Sequence, residues 1–123
     1  ADLPMAMTAH LVFAAIDPDL PATQSAKMIG IIRDRIGFRG LLMSDDLNMQ
    51  ALKGSLADRT RRTMAAGVDV ALHCKGDLAE MIEVAGAAGE MTAAAAMRAR
   101  AAIAARPAAG LALADAVAGL VDG

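Results

Sequence analysis

Tryptophan and tyrosine are absent from this chain, and phenylalanine occurs only twice in 123 residues. The core must therefore be aliphatic, with nine methionines available to fill irregular gaps. Cysteine occurs once, at Cys74, so no internal disulfide can form and a reducing compartment is expected. Without a local motif around it, Cys74 reads as a small core residue. A strong excess of either charge is missing too. The net charge of −2 gives no electrostatic case for nucleic acid or for an acidic membrane surface. The one basic cluster, Arg59, Arg61 and Arg62 beside Asp58, reads as a solvated helix face. Every long apolar stretch is interrupted by Arg, Glu or Gly and is too short to cross a bilayer. No charged leader followed by an apolar run is visible. The first residue is Ala, and the opening residues already read as an element, so the chain is expected to be a fragment.

What is present is alanine and alternation. The sequence is 56% hydrophobic, which excludes a disordered segment. Ala6 to Phe13 reads as a buried strand. Two prolines, Pro18 and Pro21, exclude helix and central strand from the linker after it. Ser25 can cap a helix over 26–35, with Met28, Ile29, Ile32 and Ile36 at helical spacing. Phe38 to Met43 reads as a second strand, Leu56 to Ala66 as a helix closed by Gly67, and Val68 to Cys74 as a third strand. Helices are expected at 78–85, broken by Gly86 and Gly89, at 90–105 before Pro107, and briefly at 113–118. Strand-helix alternation of this kind means α/β with a parallel sheet. Three strands make a poor open sheet, and a section of a closed barrel explains the count better. At 123 residues the chain is far short of a complete (β/α)8 barrel, which needs about 250.

Polar groups at the C-terminal ends of such strands are where function gathers. Three features fall there: His10, Ser44-Asp45-Asp46, and His73-Cys74-Lys75. Two adjacent carboxylates after an apolar strand are costly unless something uses or satisfies them. Neighbouring residues on a strand point in different directions, so one carboxylate can face a site while the other is tied down. Capping of the following turn is the competing reading. No third ligand for a cation is obvious, so no metal is expected. His10 and His73 read as structural, and Asp69 as a partner for backbone or an arginine.

The run Gly37-Phe38-Arg39-Gly40-Leu41-Leu42-Met43-Ser44-Asp45-Asp46-Leu47-Asn48-Met49 resembles the nucleophile signature of family 3 glycoside hydrolases. It is most similar to that of the bacterial β-N-acetylglucosaminidases (β-N-acetylhexosaminidases) of peptidoglycan recycling. Met7-Thr8-Ala9-His10, Leu20-Pro21-Ala22-Thr23 and Ala66-Gly67-Val68-Asp69 resemble further blocks of that family in the same order. The resemblance implies that the strands are the sixth to eighth of a TIM barrel, forming its C-terminal part. Residues 1–105 would then be a partial catalytic domain and 106–123 a helical tail.

It also implies roles. Asp45 would be the nucleophile of a retaining mechanism, Asp46 a supporting residue, His10 a substrate contact or a support, and Met49 a lining of the sugar pocket. The substrate would be an N-acetylglucosamine-containing sugar, handled in the bacterial cytoplasm without a cofactor, nucleic acid or membrane. The family's histidine acid/base, on a signature resembling Lys-His-Phe-Pro-Gly-His-Gly, has no counterpart in these residues. The chain alone is therefore expected to be nearly inactive. Alternatives are another family 3 β-glycosidase such as a β-glucosidase, an inactive remnant, and a receiver-like phosphoacceptor domain.

Overall fold

The computed structural model describes residues 2–106. Three short strands form one parallel sheet in the order β1 (Met5–Met7), β2 (Leu41–Asp46), β3 (Val70–Leu72). Helices follow the strands: α1 (Ala26–Gly30), continued by a π-helical turn over Ile31–Arg35, then α2 (Leu56–Ala65), α3 (Leu78–Ala88) and α4 (Ala93–Ala104). The α/β class and the parallel sheet agree with the sequence reading. The short helix expected at 113–118, and all but the first residue of the expected tail, lie outside the described residues.

Local chemistry explains the boundaries. Ser25, Ser55, Asp77 and Thr92 each accept an N-terminal amide of the helix they precede, which satisfies one of its free donors. Gly67, at φ 103°, closes the turn after α2 in a conformation that disfavours a side chain. Isoleucine, phenylalanine, leucine and valine then converge. Ile29, Phe38, Leu42, Ala66 and Val68 make one buried cluster, with Ala6 and Ile32 packed against it.

Several expected boundaries move. The first strand stops at Met7, because the chain then leaves the sheet to pair with its own linker. Ala22 N–H donates to the Leu11 carbonyl at 2.8 Å, Thr23 N–H to that of Ala9 at 3.3 Å, and Val12 bridges Pro21 antiparallel. Leu11, Val12 and Phe13 are consequently exposed. The second strand starts at Leu41 and runs through Asp46. Gly40 lies before it in a close approach, where a Cβ would come within 2.6 Å of the Leu3 carbonyl. The third strand ends at Leu72, so Cys74 is exposed and is not a core residue. Helix α3 continues through Gly86 and stops only at Gly89, whose φ is 68°. Helix α4 begins after the Thr92 cap, later than Glu90.

Beneath the sheet sits a buried ionic cluster. The Asp69 carboxylate accepts from Arg33 at 2.6 Å, Arg98 at 2.7 Å and the Leu42 N–H at 2.9 Å. Arg33 also donates to the carbonyls of Phe38 and Gly40. This cluster ties the π turn, β2 and α4 together at the N-terminal end of the strands.

Candidate active site

Opposite that cluster, β2 ends in Ser44, Asp45 and Asp46. Its register against β3 shifts here: Met43 aligns with Val70, but Asp46 with Leu72. Three steps along β2 match two along β3, so β2 carries one extra residue, a β-bulge over Ser44 and Asp45. Bulges re-aim side chains and are frequent beside active sites. The fully buried Ser44 hydroxyl accepts the Leu72 N–H at 2.9 Å, standing in for a backbone carbonyl of the interrupted ladder. Leu47 N–H then returns to the Leu72 carbonyl at 3.0 Å.

The two aspartates separate into different environments. Asp45 is half-buried, and one carboxylate oxygen accepts the Asp46 N–H at 2.8 Å. Asp46 is engaged through its N–H, its carbonyl and one carboxylate oxygen. Its Oδ1 accepts the N–H of Asn48 at 3.1 Å and of Cys74 at 3.2 Å, and its carbonyl accepts from His10 Nε2 at 2.9 Å. The capping reading holds for Asp46, whose carboxylate ties the turn to Asn48 and Cys74, while the Asp45 carboxylate accepts the single N–H of Asp46.

His10 is buried and does come to this site. It touches the backbone of Asp46, while its Nδ1 lies 2.9 Å from the Thr23 hydroxyl. Met49 lies on the loop after β2, exposed, with its N–H on the Asp46 carbonyl at 3.1 Å. His73 is not brought into the network. Its enclosed Nε2 lies 3.2 Å from Glu80 Oε2 without hydrogen-bond alignment.

The sequence reading assigns no role to two buried members of this network, Thr8 and Thr23. The polar run Thr23-Gln24-Ser25, separated from Pro21 by Ala22 and buried at all three positions, was the available signal for Thr23. Arg59 corrects the reading of its cluster as a solvated face. It turns back onto the loop, donating to the carbonyls of Gly54 at 3.0 Å and of Leu47 and Met49 at 3.1 Å. Arg61 and Arg62 do stay exposed. Beside the site, Ser25 donates to Asp17 at 2.6 Å and holds that carboxyl below its ordinary range. Among the described residues no group of three His, Cys, Asp or Glu side chains could hold a metal ion. No described helix is long and apolar enough to cross a membrane.

Residues 1–105 match the family described as glycosyl hydrolase family 3 N terminal domain. The chain belongs to glycoside hydrolase family 3. Within family 3, it is 48% identical over 75 residues to a beta-hexosaminidase of Alkalilimnicola ehrlichii, covering 58% of this chain and 21% of that protein. A beta-hexosaminidase of Nitrosomonas eutropha is 44% identical over 71 residues, covering 55% of this chain and 20% of that protein. The crystal structure of a beta-N-acetylhexosaminidase from Beutenbergia cavernae superposes with a TM-score of 0.63 at 30% identity. That superposition covers 83% of this chain and 33% of the other. The chain thus spans about a fifth of the length of the curated relatives it matches. Membership of family 3 displaces the receiver-like reading.

Proposed function

We propose that this chain supplies the nucleophile of a retaining β-N-acetylglucosaminidase, and that the nucleophile is Asp45. The observation that carries the reading is the unequal treatment of the two aspartates. Asp46 is consumed by the turn, whereas Asp45 sits on a bulge at the C-terminal end of the middle strand with one oxygen fixed by a single N–H. A carboxylate so held is oriented but not neutralised, as attack on an anomeric carbon requires. The bond formed is Asp45 Oδ to the anomeric carbon. The bond broken is the glycosidic one, and the leaving oxygen takes its proton from an acid outside these residues. Water then releases the sugar with net retention.

In this reading the three strands are the sixth to eighth of a (β/α)8 barrel, and Met49 lines the sugar pocket. The parallel order and the exposed Met5 and Met7 on the outer strand support a sheet that continues. The proposed substrate is a terminal β-N-acetylglucosaminyl residue of a muropeptide, handled in the bacterial cytoplasm; the relatives named beta-hexosaminidase support the hexosaminidase part of this reading. The test is Asp45→Asn in the full-length protein that carries this chain. Hydrolysis of an aryl N-acetylglucosaminide should fall on the order of 10⁴-fold. Loss of less than about tenfold would remove Asp45 from the mechanism.

A further inference from the structure

The Asp45 carboxylate is held by the Asp46 N–H, and the Asp46 carbonyl is in turn held by His10. A carbonyl only accepts, so His10 Nε2 carries the proton in this contact. Its Nδ1 meets the hydroxyl of Thr23, a residue with no exposed surface. That hydroxyl has two further neighbours, Thr8 Oγ1 at 2.9 Å and the Ala9 carbonyl at 3.0 Å.

The donors and acceptors balance for both states of the ring. With His10 neutral, Thr23 donates to Nδ1 and accepts from Thr8, while the Ala9 carbonyl keeps the Thr23 N–H. With His10 protonated, Nδ1–H donates to Thr23, which turns its own proton to the Ala9 carbonyl and still accepts from Thr8. Neither state disturbs Nε2–H on Asp46. The nearby carboxylates do not compete for Nδ1. Asp17 is turned to Ser25, Asp46 to the N–H groups of Asn48 and Cys74, and Asp45 to the Asp46 N–H.

We propose that Thr23 is a positioning residue for Asp45, its buried hydroxyl fixing the His10 ring so that Nε2–H holds the Asp46 peptide in either protonation state. The proposal rests on the reading of Asp45 as nucleophile. It assigns Thr23 a task that needs a hydroxyl and not merely a side chain of its volume.

The experiment uses the full-length protein that carries this chain, an aryl N-acetylglucosaminide, and the variants Thr23→Val, Thr23→Ser and Asp45→Asn. Thr23→Val keeps the volume and removes the hydroxyl. It should lower kcat on the order of tenfold while KM changes less than about threefold, and Thr23→Ser should recover kcat to within about threefold. Nitrogen-15 spectra of the unaltered protein, with His10 assigned by its loss in His10→Gln, should show the Nε2–H tautomer when the ring is neutral. That measurement decides the matter should Thr23→Val fold poorly. Unchanged kcat in Thr23→Val, a Thr23→Ser variant as slow as Thr23→Val, or an Nδ1–H tautomer would each overturn the role of Thr23. If any of these accompanies an inactive Asp45→Asn, Thr23 fails and the nucleophile stands. An active Asp45→Asn would remove both.

Discussion

Asp69 and Arg33 meet at 2.6 Å beneath the sheet, joining the start of β3 to the π turn that follows α1. The carboxylate is almost fully enclosed, and Arg98 occupies its other oxygen at 2.7 Å. Removing one partner of such a group strands buried charge, which typically costs about 3–5 kcal/mol. Asp69→Ala should therefore destabilise the protein by several kcal/mol in urea unfolding, the largest effect of any single polar substitution outside the site. A loss within the range of surface substitutions, about 0.5 kcal/mol, would contradict this.

Ser44→Ala tests the bulge. The Leu72 N–H would lose its acceptor in a partly buried place, a cost of about 1 kcal/mol. With Asp45 as the proposed nucleophile on this bulge, turnover should fall along with stability. Ser44→Ala with wild-type turnover would show that the bulge holds without its hydroxyl.

Arg59→Lys should not replace Arg59. The guanidinium spans three carbonyls, those of Leu47, Met49 and Gly54, which one ammonium cannot reach together. Amide exchange over 47–54 should quicken in Arg59→Lys and in Arg59→Ala alike. Protection kept in Arg59→Lys would reduce Arg59 to a point charge.

Acid should weaken the fold through carboxyls held below their ordinary range. Ser25 does this to Asp17, Ser55 and then Arg61 to Asp58, and the Glu80 N–H to Asp77. A carboxyl lowered on folding contributes stability that is present above its unfolded value, about 4, and is lost as pH falls through the folded value. Thermal midpoints should be level above about pH 5 and fall below about pH 4, and in Ser25→Ala the fall should be shallower. Lys75 runs the other way. Glu80 raises it, so its share is present below about pH 10 and is lost as pH climbs past its folded value.

The class of fold was legible because the alternation of apolar strands and capped helices repeats three times, and Ser25 announces α1 correctly. Asp69 was legible as well, since an acid inside an apolar strand needs a cation. Leu11, Val12 and Phe13 misled, because apolar character alone does not reveal that Ala9 and Leu11 pair with the returning linker. Cys74 misled because the strand ends two residues before it. The split between Asp45 and Asp46 was anticipated from alternation, but it arises from a bulge and from long-range partners: Cys74 lies 28 positions beyond Asp46, and His10 lies 36 before it. Thr23 was invisible for the same reason, its partners being Thr8 and His10 across the linker.

The central claim is that Asp45 bonds covalently to the sugar. An activated, slowly released N-acetylglucosaminide can be incubated with the full-length protein, the protein digested, and the peptides weighed. The account predicts that the peptide containing Leu41 to Leu47 gains one glycosyl unit on Asp45, and that Asp45→Asn gains none. A glycosyl unit on any other residue, or turnover that yields the inverted anomer, would contradict it.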